Sequence, residues 1–186
     1  MEPAPPSEGR VRLRPPGEQD RAAFVSALRL SKDLHDIWLE PADPHAWFDR
    51  LLTSCASETD RSLLVVRIAD GSPVGVYNLS QIVHGPLCSA YVGYYALAPH
   101  AGKGYMREGL QLLLDHAFGV LALHLIEANI QPGNAASLRL VRVAGFRREG
   151  FSPRYLRIRG AWRDHERWAI TAEDPRGRPP RATPES

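Results

Sequence analysis

Residues 94–106 constrain this chain more than any other stretch, because Tyr94-Tyr95-Ala96-Leu97-Ala98 reads as a strand that passes through Gly102-Lys103-Gly104 into a helix. The helix is read from Leu110, Leu113, Leu114, Ala117 and Phe118, which recur at the i, i+3, i+4, i+7, i+8 spacing of one buried face. A strand that turns through glycine into a helix aims the unpartnered first-turn N–H groups at the end of a sheet, with about half a positive charge from the aligned peptide dipoles. Such a place suits a phosphate or pyrophosphate. Gly102 and Gly104 lack a Cβ, so an anion can approach the main chain and the turn can take positive φ.

Two better-known glycine loops fail on spacing. A dinucleotide fingerprint needs a third glycine where Arg107 stands, and Gly109 comes two residues too late. A Walker A loop needs Gly-Lys-Ser/Thr, but Lys103 is followed by Gly104. A plain strand-to-helix turn carries the same glycines, so the turn alone leaves the ligand open.

The rest of the chain is a single-domain pattern. With 186 residues and 44% hydrophobic content, it is long enough for one stable core. Residues 1–9 and 175–186 are rich in Pro, Gly and charge and are expected to be flexible tails around a domain at 10–174. Residues 11–14 alternate as a first strand, 18–30 and 44–57 read as helices with Trp47, Leu51 and Leu52 inward, and 61–69 and 74–82 form strands around Asp70-Gly71-Ser72-Pro73. A strand over 87–96 leads into the glycine turn. Residues 126–130 form the next strand, Asn134 caps a helix reaching Val143, and 151–157 with 163–171 close the sheet. The order is that of an α+β fold with a mixed, mostly antiparallel sheet.

A net charge of +2, with Lys32 and Lys103 the only lysines, gives no basis for a nucleic-acid or membrane partner. No segment nears the ~20 apolar residues of a membrane helix and the N-terminus lacks a signal-peptide core, so a cytoplasmic location is expected. Cys55 and Cys88 form no Cys-x-x-Cys pair and read as reduced thiols, and no partner His or Asn marks Cys88 as a nucleophile. The seven histidines form no ligand pair of known spacing, so no metal is expected.

Six ordered segments carry a resemblance: Val92-Gly93-Tyr94, Gly102-Lys103-Gly104-Tyr105-Met106, Glu127-Ala128-Asn129, Asn134-x-x-Ser137, Gly145-Phe146-x-x-Glu149-Gly150, and Gly160-Ala161-Trp162-Arg163-Asp164-His165. Over residues 10–171 the chain resembles the GNAT N-acetyltransferases, and within them the RimJ/RimL group that acetylates ribosomal-protein N-termini. It departs at two positions. Ala101 stands where the family's cofactor loop usually begins with Gln or Arg, and Tyr91 stands where relatives often carry a strand carboxylate.

The resemblance implies acetyl-CoA as co-substrate, lying in a wedge between two strands that splay apart. Its pyrophosphate would meet Gly102, Lys103, Gly104, Tyr105 and Met106, and its pantetheine arm the main chain of Leu97 and Ala98 and the side chain of Asn134. Asn134 is equally well explained as a plain helix cap. A strand N–H near Tyr95 or Ala96 would polarise the thioester carbonyl. Ser137 is implied as the contact to the CoA sulfur, and Glu127 beside the wedge is a second candidate, for proton removal from the amine. Trp38, Tyr91 and Tyr95 are candidates to line the amine site, in the segment Ser31-x-x-Leu34-His35-Asp36-Ile37-Trp38 and on the strand. The implied reaction is direct acetyl transfer to a primary amine, foremost the α-amine of a protein, with a homodimer as in many relatives. A small amine as acceptor, or an acyl-CoA sensor without transfer, are the alternatives.

Overall fold

The computed structural model describes residues 9–35, 38 and 43–176. The expected tails fall largely outside the described residues, as do Asp36 and Ile37 of the acceptor segment. Pro175 and Arg176, expected to begin a flexible tail, pack back: the Pro175 carbonyl lies against Gly145, and Arg176 pairs with Asp115.

Seven strands form one sheet in the order β1-β2-β3-β4-β5-β7-β6. They are β1 (Val11–Arg14), β2 (Arg61–Arg67), β3 (Pro73–Val83), β4 (Ser89–Ala96), β5 (Leu125–Ile130), β6 (Arg147–Ile158) and β7 (Ala161–Thr171). All neighbours are antiparallel except β4 and β5, which run parallel. The helices are α1 (Arg21–Leu30), α2 (Lys32–His35), α3 (Pro44–Ser54), α4 (Tyr105–Asp115) and α5 (Ala135–Ala144). A parallel neighbour needs a crossover, and α4 supplies the one between β4 and β5.

The sheet separates two cores. On one face α4 and α5 bury Leu110, Leu113, Leu114, Leu138 and Val141 against Val65, Tyr77, Ile126 and Ile170. On the other α1 and α3 bury Phe24, Leu28, Phe48 and Leu51 against Leu64, Val66, Val76 and Tyr95. Full burial of side chains of this size stabilises by about 1.5–3 kcal/mol each. In α3 the buried aromatic is Phe48, while Trp47 and Leu52 are only partly covered, and the helix stops at Ser54 rather than residue 57. Its start is set by Asp43, whose carboxylate accepts the N–H groups of His45 and Ala46 at 3.0 Å ahead of a proline at the first helical position. The expected helix over 18–30 divides into a 3-10 turn at Glu18–Asp20 and α1.

Candidate active site

The parallel pairing of β4 and β5 is short. It joins Ser89 to Leu125, Ala90 to Ile126 and Tyr91 to Glu127, and there it ends. Beyond that point β4 continues to Ala96 paired only with β3, and β5 continues to Ile130 paired only with β7. The two strands therefore part after Tyr91 and Glu127 and leave a wedge. Because Leu97 donates to the Val74 carbonyl at 2.7 Å, ladder alternation turns the main chain of the odd residues of β4 toward β3. The N–H groups of Tyr94 and Ala96 consequently face the wedge.

This corrects the expected pantetheine contacts. The Leu97 N–H is spent on Val74, and the Ala98 N–H is spent on the Ser31 hydroxyl at 2.8 Å. Alternation along the strand moves the wedge-facing main chain to Tyr94 and Ala96.

At the mouth of the wedge the glycine turn has the conformation its residues demand. Gly102 has φ +75° and Gly104, the N-cap of α4, has φ +82°. Among the described residues no hydrogen bond is made by the N–H groups of Gly102, Lys103, Gly104, Tyr105, Met106 and Arg107, so six donors in the turn and the first helical turn stand free. Lys103 reaches back to the Pro99 carbonyl at 3.1 Å, and Arg107 is exposed. The Tyr105 ring lies between two guanidiniums, with Arg10 Cζ 4.7 Å and Arg67 Cζ 5.7 Å from its centroid. Met106 rests on Gly75 of β3, where any Cβ would lie 2.4 Å from its sulfur. Its carbonyl accepts the Tyr77 hydroxyl at 2.6 Å. Tyr77 is fully buried and was missed in the sequence, where a tyrosine in an apolar strand looks like any core residue.

Asn134 is the N-cap of α5, its side-chain oxygen accepting the Ser137 N–H at 3.1 Å. That leaves the amide NH2 for a ligand. Tyr94, behind the wedge, makes a long 3.4 Å bond from its hydroxyl to the Ser137 carbonyl. Burial pushes the Tyr94 phenol well above its ordinary range, so it remains protonated.

Glu127 lies on the opposite face of the sheet from Ser137. In β5 the alternate residues Ile126, Ala128 and Ile130 enter the α4/α5 core, which turns Glu127 to the other side, next to Tyr91. Burial raises the Glu127 pKa, the nearby Glu149 raises it further, and Arg167 opposes both. Burial first, then the Glu127 charge, raises that of Tyr91, which also interacts with Tyr155. Tyr91 and Glu127 thus lie close to Glu149, Tyr155 and Arg167 on this face.

Tyr95 does not join them. It is 5% exposed, packs its ring edge against Phe24 and beside Trp47, and its buried hydroxyl has no well-formed hydrogen bond. An aromatic at the centre of a strand covered by α1 and α3 is a core residue. Trp38 stands on the other wall: its carbonyl accepts from Gln131 at 3.4 Å, and its ring lies against Gly133 in the loop after β5. Among the described residues no three His, Cys, Asp or Glu side chains gather as a metal site, and no helix is long and apolar enough to cross a membrane.

Known proteins share this arrangement. The pattern of the GNAT acetyltransferase domain matches residues 10–147. The ribosomal protein uS5-alanine N-acetyltransferase of Escherichia coli is 38% identical over 101 residues, which are 54% of this chain and 52% of that protein. The chain therefore spans about half the length of that curated relative. The structure of Mycobacterium smegmatis RimJ in complex with CoA-disulfide superposes with a TM-score of 0.79 at 34% identity, covering 89% of this chain and 83% of that one. The spermidine N-acetyltransferase of Vibrio cholerae in complex with CoA and spermine shares the fold, with a TM-score of 0.75 at 23% identity over 89% of this chain and 97% of that one. A splayed parallel strand pair, a glycine turn with free donors and a sequence match across most of the domain converge, and the chain belongs to the GNAT acetyltransferase family, with RimJ-like proteins among its relatives.

Proposed function

We propose that the protein transfers the acetyl group of acetyl-CoA to the α-amino group of a protein N-terminus, of the ribosomal-protein kind. The observation that carries the donor half is the pairing of an open strand edge with a helix end: β4 and β5 part after Tyr91 and Glu127, and six main-chain donors at Gly102–Arg107 stand free beside them. An extended amide-bearing arm ending in a pyrophosphate answers both. The amides of Gly102, Lys103, Gly104, Tyr105 and Met106 hold the pyrophosphate, with Lys103 and Arg107 adding charge, and the Asn134 amide with the main chain of Tyr94 and Ala96 holds the arm.

Acetyl-CoA supplies an activated acetyl thioester when bound. The wedge-facing N–H of β4 is the donor for the carbonyl oxygen as negative charge develops there, a role worth about 2.7–4 kcal/mol for the oxyanion donor of a well-studied protease. Glu127, its pKa raised by burial, removes the proton of the incoming ammonium directly or through one water. The neutral amine attacks the thioester carbon, the C–S bond breaks, and the second amine proton passes to the departing thiolate, which Ser137 steadies with its hydroxyl. Glu127 and the helix α5 that carries Ser137 lie on opposite faces of the sheet, so the two roles fall to separate groups. Tyr91 and Trp38 flank the amine. For the acceptor, the support is the likeness to the uS5-alanine enzyme.

Calorimetric titration tests the donor half. CoA is expected to bind and pantetheine, which lacks the pyrophosphate, to bind far more weakly. Equal binding of the two would remove the phosphate-loop assignment.

A further inference from the structure

The segment after α1 holds main chain at the end of β4 and meets the loop after β5 through Trp38. Ser31, fully buried, donates its hydroxyl to the Ala27 carbonyl at 2.7 Å and accepts the Ala98 N–H at 2.8 Å. One helical turn later His35 Nε2 lies 2.7 Å from the Ala96 carbonyl. A carbonyl only accepts, so Nε2 carries the proton. Trp38 has already crossed: its N–H donates to the His35 carbonyl at 3.0 Å, while its own carbonyl takes Gln131 and its ring meets Gly133. Ala96 ends β4 and Ala98 follows it, while Gln131 and Gly133 lie just after β5. The segment therefore bridges the two strands beyond the point where they part.

Neither side-chain bond to β4 is needed to complete the sheet, because the Leu97 N–H already pairs with Val74. What the two bonds do is fix the free edge. His35 holds the carbonyl of the residue whose N–H faces the wedge, and Ser31 holds the amide two residues further on. Together they set the backbone angles at Ala96. The His35 ring also stands edge-on to Tyr95, 5.9 Å between centroids, so it is packed in place. Burial lowers its pKa. Neutral or charged, the imidazole keeps a donor on Nε2.

We infer that Ser31 and His35 are positioning residues for acetyl transfer, reaching from the acceptor-side helix to set the angle at which the Ala96 main chain meets the thioester carbonyl. The inference rests on the acetyltransferase reading above. It extends that reading by tying the wall that admits the amine to the strand that orients the donor.

The test compares the wild-type chain with His35→Ala, His35→Gln and Ser31→Ala. Two quantities are followed: kcat and KM from thiol release, and the infrared carbonyl band of bound acetyl-CoA carrying ¹³C at the acetyl carbonyl. His35→Ala is expected to lower kcat about ten-fold to a hundred-fold, the scale of a misplaced reacting group. It leaves the KM for acetyl-CoA unchanged, because the phosphate loop is intact, and returns the carbonyl band toward its position in free acetyl-CoA. Ser31→Ala shifts both in the same direction. His35→Gln keeps a donor without a titrating base and restores rate and band. A His35→Ala variant with wild-type kcat and carbonyl band overturns the inference. So does a glutamine variant as slow as the alanine one with the acid limb of its pH profile removed, which makes His35 a base instead. If His35→Ala does not fold, His35→Leu keeps the bulk without the donor and takes its place. Wild-type protein that binds acetyl-CoA with no band shift and acetylates no amine overturns the acetyltransferase reading itself, a result distinct from failure of the variants alone.

Discussion

Tyr77 and Tyr94 stand side by side on adjacent strands, ring centroids 5.4 Å apart, and each hydroxyl reaches a carbonyl in the first turn of a different helix. Tyr77 holds Met106 at the start of α4, and Tyr94 meets Ser137 at the start of α5. The two helix ends assigned to the cofactor are thus fastened to one pair of adjacent phenols, Tyr77 fully buried and Tyr94 partly so. Tyr77→Phe keeps the ring and removes the shorter bond. It is expected to cost about 0.5–1.5 kcal/mol of stability, measured by denaturant unfolding, and to weaken CoA binding in calorimetry while leaving the acceptor KM unaltered.

Gly104 takes φ +82°, and a Cβ there would lie 3.3 Å from the Arg10 guanidinium. Gly104→Val combines a left-handed backbone penalty of roughly 1–2 kcal/mol with a side chain among the free donors. Loss of CoA affinity in calorimetry is the expected result, with the domain still folded by circular dichroism.

Asn134 caps α5 through its oxygen only. Asn134→Asp keeps the cap and loses the amide donors, whereas Asn134→Ala loses both. Thermal unfolding should show the alanine variant destabilised by about 0.5–2 kcal/mol and the aspartate variant near wild type. Weakened CoA binding in both variants identifies the amide as a cofactor contact. Unchanged binding in the aspartate variant leaves it a cap alone.

Burial first, and then Glu149, raise the Glu127 pKa in the folded protein. Its folded pKa lies above the unfolded value, so the associated stability is fully present below the unfolded pKa and is lost as pH rises through the folded one. Glu127→Gln removes this loss, and its stability should gain on wild type as pH rises from about 4 to 7, followed by urea unfolding at each pH. Under the proposed role as base, the wild-type rate is expected to show an acid limb above the ordinary glutamate range, and Glu127→Gln is expected to lack it.

Gly133 carries the Trp38 ring, and a Cβ at that position would sit 3.3 Å from it. Gly133→Ala is expected to displace the indole, changing tryptophan fluorescence and raising the acceptor KM more than that for acetyl-CoA.

Local pattern made the scaffold legible in the sequence. The apolar face of α4, the β2–β3 turn, the Asn134 cap and the two positive-φ glycines follow from spacing and residue type, and the structure has them in place. What was not legible depends on which way a strand's main chain faces. Leu97 and Ala98 adjoin the turn in sequence, yet alternation and the buried Ser31 hydroxyl occupy their N–H groups. Tyr95 and Tyr91 look alike on paper. Helix α1 and helix α3 cover the first and leave the second beside Glu127. Tyr77 gave no signal, and the segment holding Ser31 and His35 pointed only to the acceptor wall and not to β4, because their partners lie 29, 67 and 61 residues away.

Acetyl transfer to an α-amine is followed by thiol release from acetyl-CoA, with short peptides of differing N-termini run beside spermidine and other small amines and each product read by mass spectrometry. Turnover with a peptide, leaving an acetyl group on its α-nitrogen, is the expected result. Turnover with small amines alone contradicts the acceptor assignment, and tight acetyl-CoA binding without release of thiol to any acceptor contradicts transfer itself.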